Sequence, residues 1–295
     1  MRNLCQLLAL LLALLFPTLA AAQASETERS WNQPVPPFRI AGNLYYVGAS
    51  DIAAYLVTTP EGHILLDGGF PETAPLIKES VRKLGFRLED VKILLNSHAH
   101  FDHAGGLAEL QKATGARLYA SQADAPVLAS GGKGDPVLGD QTSLPAVRVD
   151  RLLQDGDTVT LGGTTMTARL TPGHTRGCTT WTMKVEDGGR RHDAVFVCST
   201  TVLPMVKLTG TPSYPGINED FARTFRTLRD LPCDIFLAAH GQFFSLKDKA
   251  EQLRKGGKGD GPNPFVDPEG YRKYLDRAEG LYRQHLERER QPAPK

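Results

Sequence analysis

The chain has 295 residues, enough for one large domain or two modest ones. Apolar residues make up 41% and charged residues 23%, so a sizeable core can form. The formal net charge is +1 with no long run of one sign, which argues against nucleic acid as a partner, because that needs a concentrated basic surface.

The opening stretch, MRNLCQLLALLLALLFPTLAAAQA, joins a short positive start at Arg2 to an apolar core from Leu7 to Leu15. Ala22-Gln23-Ala24 has the small-x-small form of a signal-peptidase site. The apolar run is too short for a membrane span, and Cys5 precedes the core, where a lipid-anchoring cysteine would follow it. The sequence therefore predicts a signal peptide over residues 1–24, cleaved after Ala24 with Ala22 as the alternative. A single domain over 25–295 then acts in a periplasm without a membrane anchor. Loss of Arg2 brings the formal charge from +1 to about zero. Nothing in the sequence demands more than a monomer.

From Phe38 onward, NLYYVG, AAYLVTT and HILLDGG are short β-rich runs separated by turn residues. ETAPLIKESVRKLG has helical spacing and ends at a glycine. VKILLNS is continuously apolar, as a strand covered on both faces would be, and HAGGLAELQKATG reads as the helix after it. ARLYAS is a further strand. In the second half DTVTLGG, TTMTARLTPGH, CTTWTMKV, DAVFVCST and CDIFLAAHG read as strands and NEDFARTFRTLRDL as a helix. A terminal helix covers roughly 268–288, its apolar side including Tyr271, Leu275, Ala278 and Tyr282. Strands in two groups with helices outside predict an α/β sandwich. SGGKGD and RKGGKGDGPNP read as flexible loops, since neither joins a strand to a helix as a phosphate loop must. The final QPAPK is expected to be disordered.

Cys178, Cys198 and Cys233 remain after signal removal, and an oxidising compartment favours one bridge among them. Cys178 and Cys198 sit in stretches that look like adjacent strands, so their pairing is expected, with Cys233 buried and free. The other two pairings stay open on sequence alone.

Five of the eight histidines, with Asp102, stand at or just beyond predicted strand ends. His98 and His100 are two apart and point the same way from an extended segment. A turn into helix at Asp102 and His103 aims that pair at a neighbouring point. His174 lies in PGHTRG and His240 in AAHGQ. So many imidazoles in one stretch have no packing reason, whereas a pair of metal ions would need them. His63, His192 and His285 read as plain surface residues.

HAHFDH with the later GHT and HG loops resembles the metallo-β-lactamase superfamily, whose signature is H-x-H-x-D-H. The resemblance spans essentially the whole mature chain. It implies a four-layer αβ/βα sandwich, two facing mixed β-sheets flanked by helices. It also implies two zinc ions, one held by His98, His100 and His174, the other by Asp102, His103 and His240.

Thioesterases and lactonases of this superfamily typically add a metal-bridging aspartate at the strand end after the GHT loop. Here that strand ends VFVCSTT, with Asp193 at its start and no carboxylate again until Glu219. This absence resembles the true β-lactamases, and His98, ASDIAAYLV and SYPGINEDFARTFRTLRDLPCD resemble their subclass B3. Another subclass draws a cysteine ligand from this strand end, which makes Cys198 a rival metal ligand to the disulfide reading. The implied activity is zinc-dependent hydrolysis of the β-lactam amide by a metal-bound hydroxide that Asp102 orients. Ser199 and Thr201 fall where the substrate carboxylate would be received, although both could equally cap the strand. Asp67 stands either behind the site, orienting ligands, or simply in a turn. A thioesterase or lactonase of the same fold, and a non-catalytic periplasmic zinc-binding protein, are the competing readings.

Overall fold

The computed structural model describes residues 25–140, 143–256 and 262–291. The expected signal peptide, residues 1–24, lies outside them, as do the last four residues of QPAPK. Among the described residues, seven strands form one sheet in chain order: β1 (Phe38–Ala41), β2 (Leu44–Tyr46), β3 (Tyr55–Thr59), β4 (Gly62–Leu66), β5 (Val91–Leu95), β6 (Arg117–Ser121) and β7 (Arg151–Leu153). Pairing is antiparallel from β1 to β4 and parallel from β4 to β7. The second sheet contains β8 (Thr158–Leu161), β9 (Thr164–Leu170), β10 (Thr179–Asp187), β11 (Arg190–Val197) and β12 (Ile235–Ala238), in the order β12-β11-β10-β9-β8. Among the described residues its one parallel pair is β11 with β12.

Side-chain alternation explains the layering. Ile64 and Leu66 of β4, with Ile93 and Leu95 of β5, enter the core between the sheets, where they join Tyr55, Trp181, Phe196 and Phe236. Leu65 and Leu94, one position out of phase, enter a second core. There they meet Ile77 and Val81 of α2 (Thr73–Lys83), Leu107 and Leu110 of α4 (Leu107–Thr114) and Leu128 of α5 (Ala125–Ser130). On the other side, Phe221 and Phe225 of α6 (Ile217–Asp230) pack with Tyr282 of α8 (Pro268–Arg290). Leu228 of α6 and Tyr271 and Leu275 of α8 reach the core between the sheets. Burying each such side chain contributes about 1.5–3 kcal/mol. The result is the expected four-layer sandwich of two facing mixed sheets between helices.

Three helices were not expected from the sequence: α1 (Glu26–Trp31), α5 and α7 (Leu246–Lys255). Strands β1 and β7 were not expected either. The single helix expected at HAGGLAELQKATG is two, α3 (Phe101–Ala104) and α4, meeting at Gly105-Gly106. The division permits a close approach, because a Cβ on Gly106 would stand 2.2 Å from the Gly68 carbonyl oxygen.

Cys178 and Cys198 form the expected disulfide, with Cα atoms 5.9 Å apart where β10 begins and β11 ends. Neither sulfur is therefore a thiolate available to a metal. Cys233 is free and half-buried, and burial pushes its thiol up. His63 departs from the surface reading: it is buried in β4 with its ring edge-on to Phe86. His285 is partly buried, with Nε2 2.9 Å from the Val206 carbonyl oxygen. Among the described residues, no helix is long and apolar enough to cross a membrane.

Candidate metal centre

Strand ends assemble the cluster. β5 delivers the chain to Asn96, and the backbone stays extended through His100 (φ −80°, ψ 152°) before α3 begins at Phe101. His98 and His100 thus leave an extended segment, while Asp102 and His103 leave a helical turn, as their spacing required. The loop after β9 supplies His174 and the residue pair beyond β12 ends in His240. The structure brings all six residues together at one edge of the sandwich.

The rings form a contiguous set. Centroid separations are 4.9 Å for His98 and His100, 4.7 Å for His100 and His174, and 4.9 Å for His98 and His174. His98 and His103 lie 4.3 Å apart, and His103 and His240 4.8 Å. His98, His100 and His174 offer one ligand atom each within 4.8 Å of one another. His103 Nε2 is 3.1 Å from His240 Nε2 and 3.2 Å from Asp102 Oδ2, which lies 3.4 Å from His240 Nε2. Tetrahedral donors around zinc, each at about 2.0–2.1 Å, stand about 3.3 Å apart, so this triangle fits such an ion. His98 Nε2 and His100 Nε2 are buried without a hydrogen-bond partner. Orphaned imidazole nitrogens are costly unless a ligand takes their lone pairs. The donor set therefore fits a divalent metal.

Protonation states suit that role at three of the rings, while His240 would have to give up a proton to a metal. Burial, then the neighbouring imidazoles, holds His98 and His100 well below the usual histidine range, and burial takes His174 down to about 4. These rings are neutral at pH 7. Burial alone would raise Asp102, but His103 and His240 outweigh it and hold the carboxyl well below its usual range. Burial would lower His240, yet the hydrogen bonds it donates to Asp102 and Asp51 raise it to about 9.

Three of the rings are held through their Nδ1 atoms, and of the residues that hold them only Thr201 was a candidate from sequence. Ser97 Oγ lies 3.0 Å from His98 Nδ1, and the Thr201 carbonyl oxygen 2.8 Å from His174 Nδ1. Asp51 Oδ2 lies 2.8 Å from His240 Nδ1, and its Oδ1 accepts the Gln242 N–H at 2.7 Å. Trp31 of α1 stands edge-on to the same ring. Asp135, from the SGGKGD loop, is buried with Oδ2 3.6 Å from His100 Nε2, beyond hydrogen-bond reach and on the cluster side of that ring. Asp124 ties two ligand loops together, accepting from Ala99 N at 3.0 Å, Thr175 Oγ1 at 2.9 Å and Gly177 N at 2.8 Å. Such outer partners fix ring tautomer and direction.

Asp67 is both a turn residue and a support. It adopts φ 65°, and Oδ1 accepts from Ser97 N at 2.7 Å and Asn96 Nδ2 at 3.2 Å, bracing the loop that carries His98. Ser199 is buried and its Oγ accepts the Thr201 N–H at 3.2 Å, so it caps the strand end. Thr201 is exposed, and its carbonyl holds His174.

A strand-edge cluster of five histidines and an aspartate on an αβ/βα sandwich defines a metal-dependent hydrolase scaffold. The chain belongs to the metallo-beta-lactamase superfamily, whose profile matches residues 47–240. Its structural neighbours include subclass B3 enzymes. The native FEZ-1 metallo-beta-lactamase from Legionella gormanii is 45% identical with a TM-score of 0.85, over 88% of this chain and 99% of that one. BJP-1, a subclass B3 metallo-beta-lactamase of Bradyrhizobium japonicum, is 39% identical with a TM-score of 0.81, over 88% of this chain and 96% of that one. Curated relatives carry another name. A hydroxyacylglutathione hydrolase of Hyphomonas neptunium is 29% identical over 147 residues, 50% of this chain and 49% of that protein. The chain thus spans about half the length of the first such relatives.

Proposed function

We propose that the protein is an exported, monomeric dizinc β-lactamase that hydrolyses the amide of penicillins, cephalosporins and carbapenems in the periplasm and so confers resistance to them. The observation that carries this reading is the joint one at β11. The chain is 45% identical to a metallo-beta-lactamase over nearly its whole fold, and the strand end Cys198-Ser199-Thr200-Thr201 offers no bridging carboxylate.

His98, His100 and His174 would hold one zinc ion, and Asp102, His103 and His240 the other. The pair would supply Lewis acidity toward the lactam carbonyl and lower the pKa of a water toward neutrality. The chain's own residues do the rest. Ser97, Thr201 and Asp51 orient His98, His174 and His240 through their Nδ1 atoms, turning each Nε2 into the cluster. Asp102, ionised at neutral pH, accepts a hydrogen bond from the attacking water and fixes its direction. The exposed hydroxyl of Thr201 would receive the carboxylate beside the lactam nitrogen, with Ser199, whose Oγ already accepts the Thr201 N–H, turning its own proton to the same group.

A thioesterase of the hydroxyacylglutathione hydrolase type is the second reading, favoured by the names of the curated relatives. The missing strand-end aspartate speaks against it. Hydrolysis of nitrocefin and a carbapenem by zinc-loaded protein, lost with chelator and in Asp102→Ala, is expected. Absence of β-lactam turnover contradicts the proposal.

A further inference from the structure

Beside the metal centre, a cavity of about 510 Å³ runs between α8, the residues after β11 and the turn at Gly241–Phe244. Its size falls within the range of small-molecule pockets, about 300–1,000 Å³. Phe243, Tyr274 and the exposed Leu281 give it an apolar surface. Lys273, Arg277 and Arg288 line it from one helix. At 1.5 Å per residue these cations spread over about 22 Å. Lys273 is 3.7 Å from Glu269 and also acts on Asp267, whereas among the described residues neither Arg277 nor Arg288 is ion-paired.

We infer that this groove binds a small organic anion with an apolar body, its anionic head at Lys273 and Arg277 and its body along Tyr274, Phe243 and Leu281. Cations in excess of the one lining carboxylate, Asp267, beside apolar surface complement such a ligand in both charge and hydrophobicity. The groove is lined by no metal ligand but shares Thr201 with the proposed carboxylate site, and it is continuous with the cluster. Tyr274 packs on Phe243 at 5.3 Å between ring centroids, and Phe243 on His240 at 5.3 Å. Tyr274 is fixed from the other side by Thr200, whose Oγ1 lies 2.7 Å from its hydroxyl. The floor is thus held rigid and ready to receive a flat or aliphatic body. The inference does not depend on which bond the metal centre hydrolyses.

The test is fluorescence titration of the full, zinc-loaded protein with anilinonaphthalene sulfonate, an aromatic body bearing one sulfonate. Saturable binding is expected, weakened at least tenfold by Arg277→Glu and by Leu281→Asp, both at exposed positions. Arg87→Glu, away from the groove, should leave the affinity unchanged. Binding should also persist after chelation removes metal. An unchanged affinity in either groove variant, no binding, or binding lost with the metal overturns the inference. So does a concentration-dependent dimer, seen by sedimentation, that Leu281→Asp dissociates, since the groove would then serve a second copy.

Discussion

Four buried carboxylates outside the proposed ligand set, Asp51, Asp67, Asp124 and Asp135, govern how stiffly the imidazoles are held. Asp51 meets His240 at 2.8 Å, so Asp51→Ala frees one ring and should lower zinc affinity 10–100-fold in a chelator competition, with secondary structure retained. Unchanged affinity would refute that role. Asp124→Ala strands the buried N–H groups of Ala99 and Gly177, each costing about 1–3 kcal/mol, and the urea midpoint should fall accordingly. Gly177→Ala should do comparable damage, because its Cβ would stand 2.0 Å from Ser121 Oγ and 2.5 Å from Asp124 Oδ1. Four of the six clustered residues were legible because HAHFDH is local and dense, and His174 and His240 followed from the GHT and HG loops of the resemblance. Asp51 was not, although its stretch ASDIAAYLV drew notice, because its partner is 189 residues away. Asp135 hid in a glycine-rich segment that reads as mere linker.

At the scale of elements, long periodic segments announced themselves. α2, α6 and α8 carry apolar residues at three- and four-residue spacing, and β4 and β5 are apolar on both faces. β7 is three residues with Arg151 and Leu152 exposed, so no alternation marked it. α7 presents mostly charged residues and buries only Leu246 and Lys249. α1 did carry a sign, the capping box of Ser25 and Glu28, which a reading centred on apolar periodicity passes over. The disulfide across β10 and β11 closes a segment of sequence separation 20, a constraint on the unfolded chain of about 3 kcal/mol. Replacing both Cys178 and Cys198 by serine should therefore lower unfolding free energy by about that amount in chemical denaturation, and an unchanged midpoint would count against it.

For the whole molecule, the metal centre sets the dependence on pH. In metal-free protein His174 titrates near 4 in place of 6.5, with His98 and His100 also depressed. The unfolded chain then binds more protons between these values, so their contribution is full above pH 6.5 and lost as pH falls toward 4. Asp67 and Asp124, raised to about 6 chiefly by burial, act with the opposite sign, favouring the folded state below 3.8 and losing that benefit as pH rises to 6. His240, raised to about 9, gains its stabilisation between pH 9 and 6.5 and changes little below that. Three imidazoles against two carboxylates therefore leave a net loss on acidification, and the melting temperature of metal-free protein should fall from pH 7 to pH 5. The topology that makes this cluster also frames the choice of substrate, since both sheets send their strand ends to it while β11 contributes a disulfide and hydroxyls in place of a carboxylate. The most direct measurement is kcat/KM of the zinc-loaded protein for benzylpenicillin beside that for a hydroxyacylglutathione thioester. The account predicts chelator-sensitive β-lactam turnover with negligible thioester hydrolysis; efficient thioester hydrolysis without β-lactam turnover would contradict it.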